Sequence, residues 1–369
     1  MKHNPDVAYN DLPKLPPKSF LFDDPDVLKA SMAASQAIAA LNATIRSDSS
    51  NISHSLNLMS PLYVPEAVTS SGVENIITTN ERVYQARLLE EKDVTPQDKE
   101  VMRYVDALIL GTIEQGRRGY LSTSQYIAIQ KVLEPSKTGI RKIAGTKLAN
   151  PTTGEVHYTP PDNEKIIRNL LKNFEEYFNE ESPKHEIFAR AALLHYQFEA
   201  IHPFHDGNGR TGRILIPLYL TQQKVLDAPL LFVSKYILEN RNDYYRHLRA
   251  VTFEEDWKPW TLYILKAFEE QAQYTLEVLR KIDAFRTKLE KKLDALVGHT
   301  YARDIARFVY EHPFFVQSEF EESLDISYVT ARKYLALLET NKIIVKRKQT
   351  GRNRFLYACP EYIMLLKKS

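Results

Sequence analysis

The run His202-Pro203-Phe204-His205-Asp206-Gly207-Asn208-Gly209-Arg210-Thr211-Gly212-Arg213 places a base, a hard oxygen ligand, a glycine-rich turn and two guanidinium groups within twelve residues. Together these groups suit one operation, the transfer of part of a nucleotide. His202 has an ordinary pKa of about 6.5, so at neutral pH it can be uncharged and take a proton from an attacking hydroxyl. Asp206 offers the oxygen that Mg²⁺ prefers, with phosphates and water left to complete the octahedron. Gly207, Asn208 and Gly209 let a backbone approach an anion closely, and the unpaired N–H groups of a helix that follows favour negative charge. The ligand is therefore expected to be a phosphate chain. Arg210 and Arg213, three apart, would share a face of that helix's first turn and hold phosphate oxygens by charge-assisted hydrogen bonds. Phe204, between polar neighbours, reads as the apolar anchor of the loop.

The elements that must hold these groups are legible in the periodicity. Ile187, Ala191, Leu194 and Phe198 recur at helical spacing, so a core helix runs into the motif and stops near Pro203, leaving His202 at its end. His195 falls near the same stripe and reads as a core residue. Thr211 to Leu220 is apolar enough for a second helix. Asp162 to Phe178 is amphipathic, with Ile166, Leu170, Phe174 and Phe178 on one side and Asp162 or Asn163 as cap. Residues 25–45 and 84–116 carry helical patterns, and Pro61 to Asn75 joins them. The Pro-rich, polar residues 1–25 are expected to lie extended on the surface. Residues 140–161 differ: Ile143, Val156 and Tyr158 flank a turn-rich stretch from Asn150 to Gly154, which predicts a hairpin. No internal repeat is found.

The tail reads as a separate module. A charge-laced helix over 267–297 precedes three helical patterns, Tyr301 to Tyr310, Ser318 to Glu322 and Ser327 to Glu339. Two strands follow, Ile343 to Lys348 and Arg354 to Cys359, which predicts a winged helix. From Ala331 onward ten Lys or Arg stand against two Asp or Glu, a balance of +8 within a chain of net charge +2. Arg332 and Lys333 on the third helix, with Lys346, Arg347, Lys348, Arg352 and Arg354 on the wing, would form a positive face. That face makes duplex DNA a candidate partner.

The 369 residues leave room for two or three domains, and 43% hydrophobic with 26% charged residues is globular rather than disordered. One cysteine, Cys359, excludes an internal disulfide and a cysteine metal cluster. With no apolar leader at the start and no apolar stretch near eighteen residues, no membrane or export role is expected and a reducing cytoplasm fits. The sequence leaves a homodimer open.

The twelve-residue run resembles the signature of Fic-domain proteins, His-x-Phe-x-Asp/Glu-Gly-Asn-Gly-Arg-x-x-Arg, at every fixed position. The resemblance implies a mainly α-helical Fic fold and transfer of AMP from Mg·ATP to a Tyr, Thr or Ser hydroxyl of a protein, itself included. His202 would be the base and Asp206 the Mg²⁺ ligand. Gly207, Asn208 and Gly209 would hold the α- and β-phosphates, and Arg210 and Arg213 the polyphosphate tail. His205, through its backbone, and Thr211 stand at variable positions of the signature and are counted with the ATP-contacting residues. The related Doc kinases have lysine in place of the first glycine; Gly207 is intact here, which favours adenylyl transfer. Tyr244 or Tyr245, in an aromatic stretch from Asn240 to Trp260, would lie against adenine, with Asn242 or Asp243 nearby. Ser70-Ser71-Gly72-Val73-Glu74-Asn75 is similar to the family's inhibitory motif Ser/Thr-x-x-x-Glu-Gly/Asn, and Glu74 would pair with Arg213 where the γ-phosphate needs that cation. Taken alone the hexapeptide also describes an ordinary helix N-terminus. The 140–161 hairpin, ending in Tyr158-Thr-Pro-Pro161, resembles the family's flap, which would pair with the backbone of a protein target. The resulting division is 1–95 for the arm and inhibitory region, 96–265 for the catalytic domain, 266–297 for a connecting helix and 298–369 for the winged helix. Two other readings are an ATP-sensing transcription regulator and a hydrolase that uses Glu74 to remove AMP.

Overall fold

The computed structural model describes residues 3–48, 52–89, 91–149, 153–181, 186–348 and 355–367. They are mainly helical and fall into two compact units. One gathers Met1–Arg46, Thr69–Ile76 and Arg103–Gln273; the other gathers Ser47–Val68, Ile77–Met102 and Tyr274–Ser369. Both units are discontinuous in sequence, unlike the consecutive blocks drawn from the sequence. The cause is local: Ser70, Glu74 and Asn75 make their hydrogen bonds to Arg213 and Arg241 of the first unit, whereas Tyr84 packs on the hydrophobic core of the second.

Four helices lead the chain: α1 (Pro25–Asp48), α2 (Ile52–Val73), α3 (Asn80–Ala86) and α4 (Pro96–Arg118). The single helix predicted over 84–116 is thus broken. Pro96 cannot continue a helix from α3 but suits the first position of a new one, and Thr95 accepts the Asp98 N–H at its start. In the first unit follow α5 (Thr123–Leu133), the strands β1 (Leu148–Ala149) and β2 (Val156–Tyr158), α6 (Glu164–Phe178), α7 (Ile187–Ile201), α8 (Asn208–Gln222), α9 (Ser234–Glu239), α10 (Arg241–Glu254) and α11 (Trp257–Val297). All of α7 except Ile187 and Glu199 is buried, which makes it the central helix. Phe174, Phe178 and Phe198 pack around Tyr126, and Trp260 donates to the Ala192 carbonyl of α7. Asn163 caps α6 as read from sequence, but the buried stripe runs through Ile167 and Leu171, and Ile166 is only half-buried.

The amino-terminal arm is bound rather than laid on the surface. Leu12, Leu15 and Phe20 are buried. Asn173 exchanges two hydrogen bonds with the backbone of Leu15, and Gln197 donates to the Pro13 carbonyl. The apolar residues between the prolines drive this: their burial outweighs the surface tendency of a polar arm.

The predicted hairpin is present but short. β1 and β2 are antiparallel, pairing Leu148 with Tyr158 and Ala149 with Val156; its turn residues 150–152 lie outside the described residues. Tyr9 of the arm donates to the Thr159 carbonyl just after β2. Among the described residues no backbone hydrogen bond is made on the outer edge of β1.

The second unit holds the end of α11, then α12 (His299–Glu311), β3 (Phe314–Phe315), α13 (Gln317–Leu324), α14 (Tyr328–Thr340), β4 (Val345–Lys348), β5 (Phe355–Ala358) and α15 (Pro360–Lys367). Three helices and two strands occur in the order read from the sequence. β3 and α15 are additions the sequence reading lacks, and the sheet order is β3-β5-β4. Leu293, Ile305, Phe315, Phe320, Leu335 and Tyr362 form its core. Arg332, Lys333, Lys346, Arg347 and Lys348 are exposed. Arg352 and Arg354 lie outside the described residues. No helix among the described residues is long and apolar enough to cross a membrane.

Candidate active site

His202 ends α7 in a left-handed conformation, φ 46° and ψ 58°, an uncommon state for a non-glycine residue. Its Nδ1 is enclosed in the protein. Burial, with the nearby Arg141 guanidinium, lowers its pKa to about 4 against the opposing pull of Glu74, the Glu199 backbone and Asp206. The ring is therefore neutral at pH 7, the form a base requires.

The glycines do not merely precede the next helix, as the sequence reading has it. Gly207 is the N-cap of α8 at φ 78°, a conformation that favours glycine, and Asn208 and Gly209 already lie in the first turn. Their N–H groups belong to the set that a helix leaves without internal partners. Asn208 turns its side chain inward: Oδ1 accepts from the Phe204 N–H at 2.8 Å and Nδ2 donates to the Phe204 carbonyl at 2.9 Å. It thus fixes the loop, and only its main chain is left for a phosphate. Thr211 is likewise internal, donating to the Gly207 carbonyl. Phe204 is fully buried beside Phe198, as its anchoring role requires.

Arg210 and Arg213 diverge instead of sharing one ligand. Arg210 reaches Glu134 at the end of α5, 2.6 Å away, with both side chains largely buried. Arg213 donates from Nε to the Ser70 hydroxyl and from one terminal nitrogen to the Ser70 carbonyl and to Glu74 Oε1 at 2.9 Å. Ser70 lies in the last turn of α2, and Asn75 just beyond it has φ 64°. The hexapeptide is therefore a helix C-terminus and not a helix start, and Arg213 satisfies the Ser70 carbonyl that the helix leaves open there. Burial would raise the Glu74 pKa, but Arg213, then Arg210 and His202, outweigh it and hold the carboxylate below its usual range. A Cβ on Gly209 would collide with the Glu74 carboxylate and the Arg213 guanidinium. An anion already rests against the first turn of α8.

Asp206 accepts from the Gly207 N–H through Oδ1 and from Lys137 through Oδ2 at 2.7 Å. Burial opposes its ionisation, yet these two hydrogen bonds keep its pKa low. Among the described residues no three His, Cys, Asp or Glu gather around one point. A lone carboxylate fits Mg²⁺, which takes one or two protein carboxylates and fills its octahedron from phosphates and water. His205 is exposed.

Tyr244 is buried, donating to or accepting from His195 Nε2 at 3.0 Å and packing on Trp260. His195, buried and with its pKa lowered to about 3, is the core residue read from the sequence. Tyr245 is 39% exposed and lines a groove of about 660 Å³ with Asn242, Arg246, Arg249 and Phe253. Of the two tyrosines it is the one open to a ligand.

Four participants escape the sequence reading. Arg141, fully buried, donates to the carbonyls of His202, Pro161 and Ile201, tying the hairpin's end to the signature loop. Glu134 and Lys137 answer Arg210 and Asp206. Glu199, the one polar residue of α7 that is not fully buried, sits against Gly212, where a Cβ would strike its carboxyl at 2.7 Å. Burial raises its pKa to about 7 despite Arg213, with Glu74 adding to the rise. Only the helical period of Glu199, one turn before the motif, could have hinted at any of these.

A neutral histidine at one helix end, a glycine-capped helix start, two buried arginines and a lone carboxylate come together as one candidate site on a mainly helical fold. Comparison places it: the chain belongs to the Fic/DOC family, whose model matches residues 120–220 and whose N-terminal model matches residues 28–113. It is 28% identical over 173 residues to "Protein adenylyltransferase fic-1" of Caenorhabditis elegans, covering 46% of this chain and 31% of the relative. It is 26% identical over 254 residues to "Protein adenylyltransferase Fic" of Drosophila willistoni, covering 66% and 45%. The chain thus spans less than half the length of these relatives. Among solved structures, a Fic family protein from Desulfovibrio desulfuricans superposes with a TM-score of 0.57 at 18% identity, covering 91% of this chain and 96% of that one. Residues 134–508 of C. elegans Fic-1 superpose with a TM-score of 0.52 at 21% identity, covering 69% and 74%. These last two likenesses are of fold.

Proposed function

We propose that the chain transfers AMP from Mg·ATP to a protein hydroxyl and is held in check by Glu74. The observation that carries this reading is the Glu74 carboxylate resting against Gly209 and Arg213, an anion in the place where a nucleotide's phosphates would bind. In the transfer, His202 takes the proton of a Tyr, Thr or Ser hydroxyl while its oxygen bonds to the α-phosphorus and pyrophosphate leaves from the opposite side. The first-turn N–H groups of α8 hold the phosphate oxygens, and Arg213 holds the tail once Glu74 has moved. Asp206 would hold Mg²⁺, which supplies charge neutralisation on the phosphates when bound. Tyr245 is the tyrosine assigned to adenine. The outer edge of β1 is assigned to a target's backbone by strand addition, because the arm occupies the side beyond β2. The names of the curated relatives support the reaction class.

Incubation of the purified chain with Mg·ATP, followed by mass spectrometry for AMP added to the chain itself or to a lysate protein, tests the reading. Absence of any adduct from both the parent and Glu74→Gly would refute it.

The exposed cations of α14 and β4 support a second role for the carboxy-terminal unit, retention on duplex DNA. Glu319, Glu321, Glu322 and Asp325 in and just after α13 oppose it.

A further inference from the structure

The segment from Gln130 to Arg141 grips the signature loop at four points. Gln130 donates to the Asp206 carbonyl, Glu134 accepts from Arg210, Lys137 donates to the Asp206 carboxylate and Arg141 donates to the His202 carbonyl. Gln130, Glu134 and Arg141 are buried. Lys137 is not: its side chain is 55% exposed and that of Asp206 40%, so this pair can open into water without stranding a charge. It also closes on the one carboxylate assigned to a divalent ion. Oδ1 of Asp206 already accepts the Gly207 N–H and has Arg210 3.7 Å away, so Oδ2, held by Lys137, is the oxygen at issue. An ammonium and a divalent cation repel each other, so each weakens the other's hold on that oxygen.

We infer that Lys137 is a specificity residue that withholds Asp206 from a bare divalent ion and yields it to a metal arriving on nucleotide phosphates. A bare ion approaching Asp206 meets two positive charges, Lys137 and Arg210. Mg·ATP brings phosphate oxygens that can receive the displaced ammonium, so the same exchange leaves no cation unpaired. Metal and nucleotide then bind with positive coupling, each strengthening the other by the same factor. This rests on the assignment of Asp206 as metal ligand above, and the experiment separates the two.

Mn²⁺ binding to the full chain is followed by equilibrium dialysis, as the metal retained with the chain, with and without ATP. Without nucleotide, Lys137→Met should bind Mn²⁺ about fivefold more tightly than the parent, the size expected for losing a half-exposed ion pair. Lys137→Arg should behave as the parent. Addition of ATP should tighten Mn²⁺ binding more in the parent than in Lys137→Met. Equal Mn²⁺ affinity of parent and Lys137→Met without nucleotide, with equal tightening by ATP, would overturn the inference and leave the Asp206 site standing. Should Asp206→Asn bind Mn²⁺ in the presence of ATP as well as the parent does, the metal assignment itself fails and the inference with it.

Discussion

Glu74 and Arg213 form an unequal pair: 2.9 Å apart, the guanidinium is 2% exposed and the carboxylate 38%. Arg213 is further held by the Ser70 hydroxyl and carbonyl, so the carboxylate is the half that can leave. Its tether is the left-handed Asn75 at the end of α2, itself bonded to Arg241. On the proposed reading, inhibition and relief would reduce to the position of one side chain at a helix end.

Glu74→Gly should raise AMP transfer at saturating Mg·ATP by on the order of tenfold, the size of a charge-assisted pair discounted for a partly solvated carboxylate. Arg213→Ala should show no gain, because it removes the partner of both inhibitor and nucleotide, and the double variant should match Arg213→Ala. Initial rates of adduct formation decide it; a Glu74→Gly rate equal to the parent's would remove Glu74 from regulation.

His202→Ala should lose AMP transfer by about 10²- to 10⁴-fold, the usual cost of removing a general base, with nucleotide binding by calorimetry retained. A pH signature accompanies it. The folded pKa of His202, about 4, lies below its ordinary 6.5. Its contribution to stability is thus present above pH 6.5 and lost as pH falls through 4. Denaturant unfolding from pH 7 to 4 should show a shallower acid loss in His202→Ala than in the parent.

The signature was legible because its chemistry is contiguous: base, carboxylate, glycines and arginines lie in one run, and both flanking helices follow the 3.6-residue period. The helix start read from the sequence lies three residues late because Asn208 and Gly209 resemble a loop. What makes Asn208 helical is its side chain closing on Phe204, which no propensity reports. Glu134, Lys137 and Arg141 were illegible for another reason. They lie more than sixty residues upstream, and their value comes from a fold that brings the end of α5 onto α8. The arm misled through composition: prolines and charges outnumber Leu12, Leu15 and Phe20, yet those three decide where it lies.

Lys333→Glu with Lys348→Glu should reduce retention on duplex DNA and lower the salt slope of binding by about 0.9 for each phosphate no longer neutralised, leaving AMP transfer in trans unchanged. Both side chains are exposed, so folding is not at stake. Identical salt slopes for parent and variant in a filter-binding titration would assign these charges to solvent.

Glu199 supplies the last prediction, through the sign of its shift. Burial raises its pKa from 4.5 to about 7, Arg213 opposing and Glu74 assisting. The folded state therefore binds a proton that the unfolded chain releases, and the stability this confers is complete below pH 4.5 and lost as pH rises through 7. Glu199→Gln keeps the shape beside Gly212 and cannot ionise, so parent and variant should diverge by on the order of 2 kcal/mol between pH 4.5 and 8, the parent losing ground. Because Glu74 is one source of the rise, Glu74→Gly should shrink that divergence. Denaturant titrations of the three chains across this range measure it. Parallel pH dependences in parent and Glu199→Gln would mean that Glu199 ionises at its ordinary pKa, with Arg213 as its partner, and that Arg213 is already shared between two carboxylates in the resting state.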